Sequence, residues 1–203
     1  MTDLLGRLEK WLRQYAPGTY SSLLPGVTRQ ELNAFEDALA LQLPDALREL
    51  YGWRNGQARR TPPLFADAHA RYSLMTLRAV QEVHANLNEI LGELEEEGSP
   101  GRDTWWHRGW IPFLDAGGDH LCVDSEGTLQ GCAGQVISFF HDDSSRMIEY
   151  PSLRSWLETF VVSLEANMWQ ERNGTLELVN EKHLEQLTKQ MNPGYPVLVQ
   201  SQS

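Results

Sequence analysis

Apolar residues recur every three or four positions at the start of the chain. Leu4, Leu8, Trp11, Leu12 and Tyr15 fall on one face of a helix that begins at Thr2. Pro17 and Gly18 are expected to end it. A second helical face follows in Leu32, Phe35, Leu39 and Leu43. Before it stands Thr28, with Glu31 three residues on, the spacing at which cap and helix exchange side-chain-to-backbone hydrogen bonds. Pro44 breaks this helix, and Asp45 is placed to cap a short third one, ALRELYGW, closed at Asn55-Gly56. Gln57 to Asp67 reads as a polar, proline-bearing loop. YSLM, Tyr72 to Met75, reads as a short strand, and Thr76 as the cap of a long helix carrying Leu77, Val80, Val83, Leu87, Ile90 and Leu94 on one side. That helix ends in ELEEEG, acidic where the helix dipole favours cations. SPGRD after it reads as a flexible loop.

The period then changes. WIPF, HLCVD, QVISFF and RMIEY are short runs rich in β-branched and aromatic residues, separated by glycine or acidic turns. DAGGD and SEGT suit hairpin connections, since glycine reaches positive φ freely. These runs predict an antiparallel meander, in which alternation buries Trp110 or Ile111 but not both equally. Pro151-Ser152 opens a helix whose Leu153, Trp156, Leu157, Phe160, Val161 and Leu164 share a face. NGTLELV reads as a turn and short strand, and EKHLEQLTKQM as a last helix. The order predicts an α+β fold: an antiparallel or mixed sheet of about four to six strands, covered by helices from the N- and C-terminal parts. Residues 1–191 are expected to form a single domain and residues 192–203 a mobile tail.

Charge narrows the classes of partner. Seventeen basic against 28 acidic residues leave a net charge of −11. Such a field repels nucleic acid and anionic membrane surfaces, and suits a cationic partner or simple solubility. No apolar run is long enough to span a bilayer, and MTDLLGRLEKWLRQY scatters charges where a secretion signal needs an unbroken apolar stretch. A cytoplasmic protein is expected. Cys122 and Cys132 are too few for a disulfide framework and are expected to be reduced thiols free of zinc.

The stretch from Gly109 to Asp143 concentrates the candidate chemistry. His120 and Cys122 share a strand face, and Cys132 with His141 would complete a zinc tetrahedron; yet the chain has no CxxC and the ligands are spread over three strands. Asp115, Asp119 and Asp124 match no EF-hand spacing and suit exposed turn residues. HDDSS, His141 to Ser145, holds the residue types of a hydrolase triad, but triad members come from separate elements. No GxSxG elbow, P-loop or dinucleotide fingerprint occurs, and His84 and His183 read as surface or half-buried helix residues. No enzyme activity, cofactor or metal is expected. Trp53 reads as a cap on the core edge, whereas Trp105 and Trp106 suit either that role or contact anchors.

The segments GWIPF, DAGGD, HLCVD, GQVISFFHDD and YPSLRSWL, in that order and spacing, resemble the core of the SUKH superfamily, also called the Smi/Knr family. Upstream, LPGVTRQELNAFEDALALQLPDALRELYGWRNGQ is similar to that family's N-terminal part. The resemblance runs from about Leu24 to Trp169, leaving the first helix and the segment after Glu171 as extensions. It implies a non-catalytic binding domain. In most members this is a cytosolic bacterial immunity protein that neutralises a cognate toxin, of nuclease or deaminase class, by complex formation. In fungal members it is a regulator of cell-wall synthesis and signalling. A metal-dependent hydrolase built on His120, His141 and nearby aspartates is the rival of another class. For a basic toxin the contact residues expected are Asp115, Asp119, Glu126, Asp142 and Asp143, with Trp105 and Trp106. Glu93 to Glu97 are the next candidate surface.

Overall fold

The centre of the fold is a seven-stranded antiparallel sheet. The computed structural model describes residues 1–67, 70–98, 105–129, 131–143, 145–172 and 174–199. Helices α1 (Thr2–Tyr15) and α2 (Pro17–Ser22) lead into β1 (Leu23–Pro25), α3 (Arg29–Leu39), α4 (Asp45–Trp53) and β2 (Arg54–Gln57). Then come β3 (Phe65–Ala66), β4 (Arg71–Leu74), α5 (Leu77–Glu97), and the meander β5 (Trp110–Asp115), β6 (His120–Asp124), β7 (Gln135–Phe139) and β8 (Arg146–Tyr150). The chain closes with α6 (Leu153–Glu165), β9 (Trp169–Arg172), β10 (Thr175–Leu178), α7 (Glu181–Met191) and β11 (Val197–Val199). The large sheet runs β11-β8-β7-β6-β5-β4-β3, while β1–β2 and β9–β10 pair separately.

The α+β class is as expected, but the sheet is larger than about four to six strands. Each addition has a pairing reason. Phe65–Ala66, inside the expected loop, pairs with Tyr72 and Arg71. In the segment expected to be a tail, Val197–Val199 pairs with Ile148 to Arg146; residues 200–203, like SPGRD, lie outside the described residues.

Local signals hold where the side chains themselves close the element. Thr28 and Glu31 form the reciprocal cap, Thr76 Oγ1 accepts from Ala79 N–H, and Ser152 Oγ accepts from Ser155 N–H. Two expectations shift by a residue or a helix. Pro44, not Asp45, occupies the cap of α4, and Pro17 starts α2 at the helix position proline tolerates. Gly26 permits the closest backbone approach in this region. A Cβ there would lie 1.9 Å from Gly52 O, so only glycine lets the β1–α3 turn pass α4.

Both faces of the sheet are buried. Ile111, Phe113, Leu121, Val123 and Val136 pack into one core with α1, α4 and the Trp156–Phe160 face of α6. Trp110, Cys122, Ile137, Phe139 and Ile148 pack into a second core with Leu87 and Leu91 of α5 and Trp106. Trp110 and Ile111 are therefore both fully buried, against the expectation that only one would be. That expectation assumed one solvated face, and α5 covers it.

α5 also corrects the reading of His84. The buried stripe is Leu77, Val80, His84, Leu87 and Leu91, so His84 occupies a core position. Its Nε2 lies 2.7 Å from Arg108 O, and its Nδ1 lies 3.1 Å from Asn88 Nδ2. A neutral ring donating from Nε2 and accepting at Nδ1 fits both partners, whereas a protonated ring has no lone pair left for Asn88. Burial accordingly pushes the His84 pKa down.

A depressed folded-state pKa contributes stability that is present above the unfolded value, 6.5, and lost as pH falls through the folded one. His120 shifts the same way through burial. Exposed His141 shifts upward through its bond to Asp119 and opposes them weakly. Glu165, held low by its hydrogen bond from Arg7, titrates below this window. The urea midpoint should therefore fall between pH 7 and pH 5, and His84→Gln should make that fall shallower; an unchanged slope would contradict the assignment. Gly26→Ala should cost roughly 2–3 kcal/mol, read in the same experiment at pH 7.

Candidate protein-binding surface

The register of the meander decides which polar residues meet. His120 pairs with Phe139 and Asp124 with Gln135, so the connections 116–119 and 140–145 lie at one end of the sheet and 125–134 at the other. Asp115, Asp119, Asp142 and Asp143 are brought to the first end, and Glu126 to the opposite one. Glu126 is exposed but cannot share a surface with the four aspartates.

At the aspartate end the two turns are stapled together. Asp119 Oδ1 accepts from the backbone N–H of His141 at 3.1 Å and lies 2.8 Å from His141 Nδ1. This bond raises the His141 pKa, and the imidazole is mostly exposed. Asp115 turns its carboxylate onto its own hairpin, accepting from Gly117 N–H and Gly118 N–H at 3.3 and 3.2 Å. Buried His120 presents Nδ1 3.3 Å from Asp115 Oδ1, yet burial outweighs that carboxylate and pushes its pKa down. Asp143 Oδ1 accepts from Ser145 N–H at 2.7 Å. Asp142 is exposed beside them.

Beneath the turn lies Arg146, only 1 % exposed. Its guanidinium donates to Asp143 O at 2.5 Å, Ser145 O at 2.6 Å, Phe140 O at 3.4 Å and Trp105 O. It also lies over the Phe139 ring, 4.7 Å from the centroid. Burial pushes its pKa down to about 10, which leaves it charged at neutral pH. One buried cation thus organises the 140–145 turn and anchors Trp105 to it. No periodicity or motif in RMIEY singles this residue out.

The two adjacent tryptophans separate. Trp105 is half-buried, edge-on to Phe139 with centroids 5.6 Å apart, its Nε1 donating to His141 O at 3.4 Å. It belongs to the aspartate end. Trp106 is 1 % exposed, donates to Asn88 Oδ1 at 2.8 Å, and packs against Trp110 and Phe139. As a contact anchor Trp106 is therefore corrected: α5 covers it. Trp53 is half-buried and donates to Glu9 Oε2 at 2.7 Å, on the core edge. On the alternative surface Glu93 to Glu97, Glu95 is engaged with Arg108 at 3.1 Å.

The zinc tetrahedron weighed from sequence, His120, Cys122, Cys132 and His141, does not assemble. His120 and His141 stand at one end of the sheet, while exposed Cys132 stands at the other. Cys122 is fully buried, its thiol pushed far up by burial. Both cysteines are free thiols. Asp124 is internal: its two oxygens accept from Glu126 N–H, Gly127 N–H, Thr128 N–H and hydroxyl, and Gln135 Nε2. It builds the opposite loop rather than a ligand site. Among the described residues, Asp119, His141 and Asp142 bring ligand atoms within 4.8 Å of one another, with Asp119 Oδ1 already holding the turn staple. Within HDDSS, His141 bonds to Asp119 of another turn; Ser144 lies outside the described residues.

These observations fix a test of the scaffold. Arg146→Met keeps an apolar stem over Phe139 but strands the carbonyls it serves. It should cost roughly 2–4 kcal/mol in urea unfolding. Asp142→Asn should change stability by less than about 0.5 kcal/mol. Equal effects would mean that Arg146 does not organise the turn.

Residues 26–159 match the SMI1 / KNR4 family (SUKH-1), and the chain belongs to that family. It is 26 % identical over 212 aligned residues to "KNR4/SMI1 homolog 2" of Debaryomyces hansenii, an alignment covering 83 % of this chain and 36 % of the relative. It is 23 % identical over 192 residues to "Cell wall biosynthesis/cell cycle regulator smi1" of Schizosaccharomyces pombe, covering 85 % of this chain and 38 % of that protein. The chain thus spans little more than a third of either relative's length. The matched region contains the whole meander and both stapled turns. No helix among the described residues is long and apolar enough to cross a membrane.

Proposed function

We propose that this SMI1/KNR4-family chain is a non-catalytic protein-binding domain whose aspartate end docks a basic partner, and that it acts as a regulator of that partner. The observation that carries the reading is the rigid display of Asp115, Asp119, Asp142 and Asp143 beside half-buried Trp105, held from beneath by Arg146. A half-buried aromatic side chain beside displayed carboxylates has the composition of an interface, where the aromatic group supplies buried area and the charges supply encounter rate and register. Because the turns are pre-ordered by hydrogen bonds, little conformational entropy is lost when a partner seats on them. The net charge of −11 extends the same attraction to long range.

The regulatory role is supported by the name of the Schizosaccharomyces pombe relative, a cell wall biosynthesis/cell cycle regulator. A second reading rests on the same charge: a basic toxin, of nuclease or deaminase class, neutralised by occlusion of its cationic cleft. This is the immunity role that the family resemblance implies. The two differ in the partner's origin, an enzyme of the same cell or a delivered toxin, and share the docking surface.

A photo-crosslinking amino acid placed at Asp142, and separately at Glu126 on the opposite end, tests this surface inside cells. Partner adducts should form from the Asp142 position and not from Glu126. The identity of the adduct separates regulator from immunity protein. Adducts from Glu126 alone, or equally from both, would place the interface elsewhere. In the purified complex, Asp142→Lys should slow association, most at low ionic strength, without altering the melting temperature.

A further inference from the structure

A second feature of the surface has the opposite charge. A cleft of about 560 Å³ opens between the 58–61 turn after β2 and the first turns of α5. Its rim carries Arg59 and Arg60 on one wall and Arg78 on the other, in a chain whose net charge is −11. Among the described residues, neither Arg59 nor Arg60 has an ion-pair partner, and both are exposed. Two carboxylates also line the cleft, but each is engaged: Glu82 with Arg78 at 2.8 Å and Asp115 with its own turn. The rim is therefore left with unneutralised cations.

Two further features shape this rim. Arg60 has φ +61°, in the left-handed region that disfavours any side chain with a Cβ, at a turn position where glycine would fit without strain. α5, 21 residues long, bears Arg78 and no acidic residue in its first turn, and its leading N–H groups are capped by Asn55 Oδ1 and Thr76 Oγ1. Between the walls Leu24, Met75 and Val83 give the lining an apolar stretch beside the polar Gln57, Ser73 and Thr76. The floor is rigid, because buried Gln57 bonds to Ser22 Oγ, Pro62 O and Leu74 N–H.

We propose that this cleft docks a short acidic peptide segment of a protein partner, carboxylates on Arg59 and Arg60 and an apolar side chain over Met75 and Val83. A small free anion would use the rim and leave the apolar lining bare, whereas nucleic acid is repelled by the chain as a whole. A segment in which acidic and apolar residues alternate satisfies both parts of the cleft. The cleft borders the aspartate end, since Asp115 lines the one and belongs to the other, while Arg59 and Arg60 stand on the 58–61 turn, outside the aspartate-bearing turns.

The test uses the full chain, fluorescently labelled, on arrays of peptides about twelve residues long in which Asp or Glu alternates with apolar residues, against matched arrays carrying Asn or Gln instead. The acidic array should bind at least about ten-fold more strongly than the amide array. Arg59→Glu/Arg60→Glu should lose that difference. The charge-matched control Arg29→Glu/Arg154→Glu, at exposed positions outside the cleft lining, should keep it. Arg60→Gly separates binding from folding: the melting temperature should hold or rise while the acidic signal falls. Equal loss in the cleft and control variants would reduce the effect to net charge. No preference for the acidic array, or full binding by Arg59→Glu/Arg60→Glu, would overturn the proposal.

Discussion

The rest of this structure depends on the burial of its central sheet from both sides. With α6, α1 and α4 on one face and α5 on the other, β5, β6 and β7 expose almost no side chain along their length. Polar chemistry is then confined to two kinds of place. It can sit inside, fully hydrogen-bonded, as Asp124 and His84 do, or it can move to the connections at the strand ends. A buried carboxylate without partners would cost more than the domain's margin of stability allows. The stretch rich in His, Cys and Asp is therefore sorted by the sheet into structural residues and displayed ones.

Sorting by register explains the candidate surface better than composition does. An antiparallel meander returns every second connection to the same end, so Asp119 and His141, 22 positions apart, become hydrogen-bonded neighbours. Glu126 and Cys132, closer in sequence, are sent to the far end. Arg146 then adds rigidity that no exposed pair supplies, since a buried guanidinium bonded to several carbonyls fixes the turn that carries Asp142 and Asp143. This region lies within residues 26–159, the part of the chain that matches the SMI1 / KNR4 family (SUKH-1).

Much of this was legible in the chain because it is local. The Thr28–Glu31 cap, the Trp156–Phe160 face and the four runs of the meander each carry their own signal within a few residues. What escaped is non-local. β3 is two residues long and β11 three, and each exists only through its partner strand. Trp105 and Trp106 look alike in sequence, and the packing of α5 alone separates a displayed ring from a buried one. His84 interrupts a leucine stripe and reads as polar surface until Asn88 and Arg108 O are seen to satisfy it. Arg146 had no signal at all, because its role lies in carbonyls of a turn that the sequence leaves unspecified.

The central claim is that the end of the sheet carrying the 116–119 and 140–145 turns is where a protein partner seats. Amide hydrogen exchange of this chain, free and bound to the partner, reads that footprint across the whole backbone at once. The account requires slowed exchange in the segments around Asp115–His120 and His141–Arg146, with the 125–134 connection unchanged. Slowed exchange confined to the 125–134 connection, with both aspartate-bearing turns exchanging as in the free protein, would contradict it.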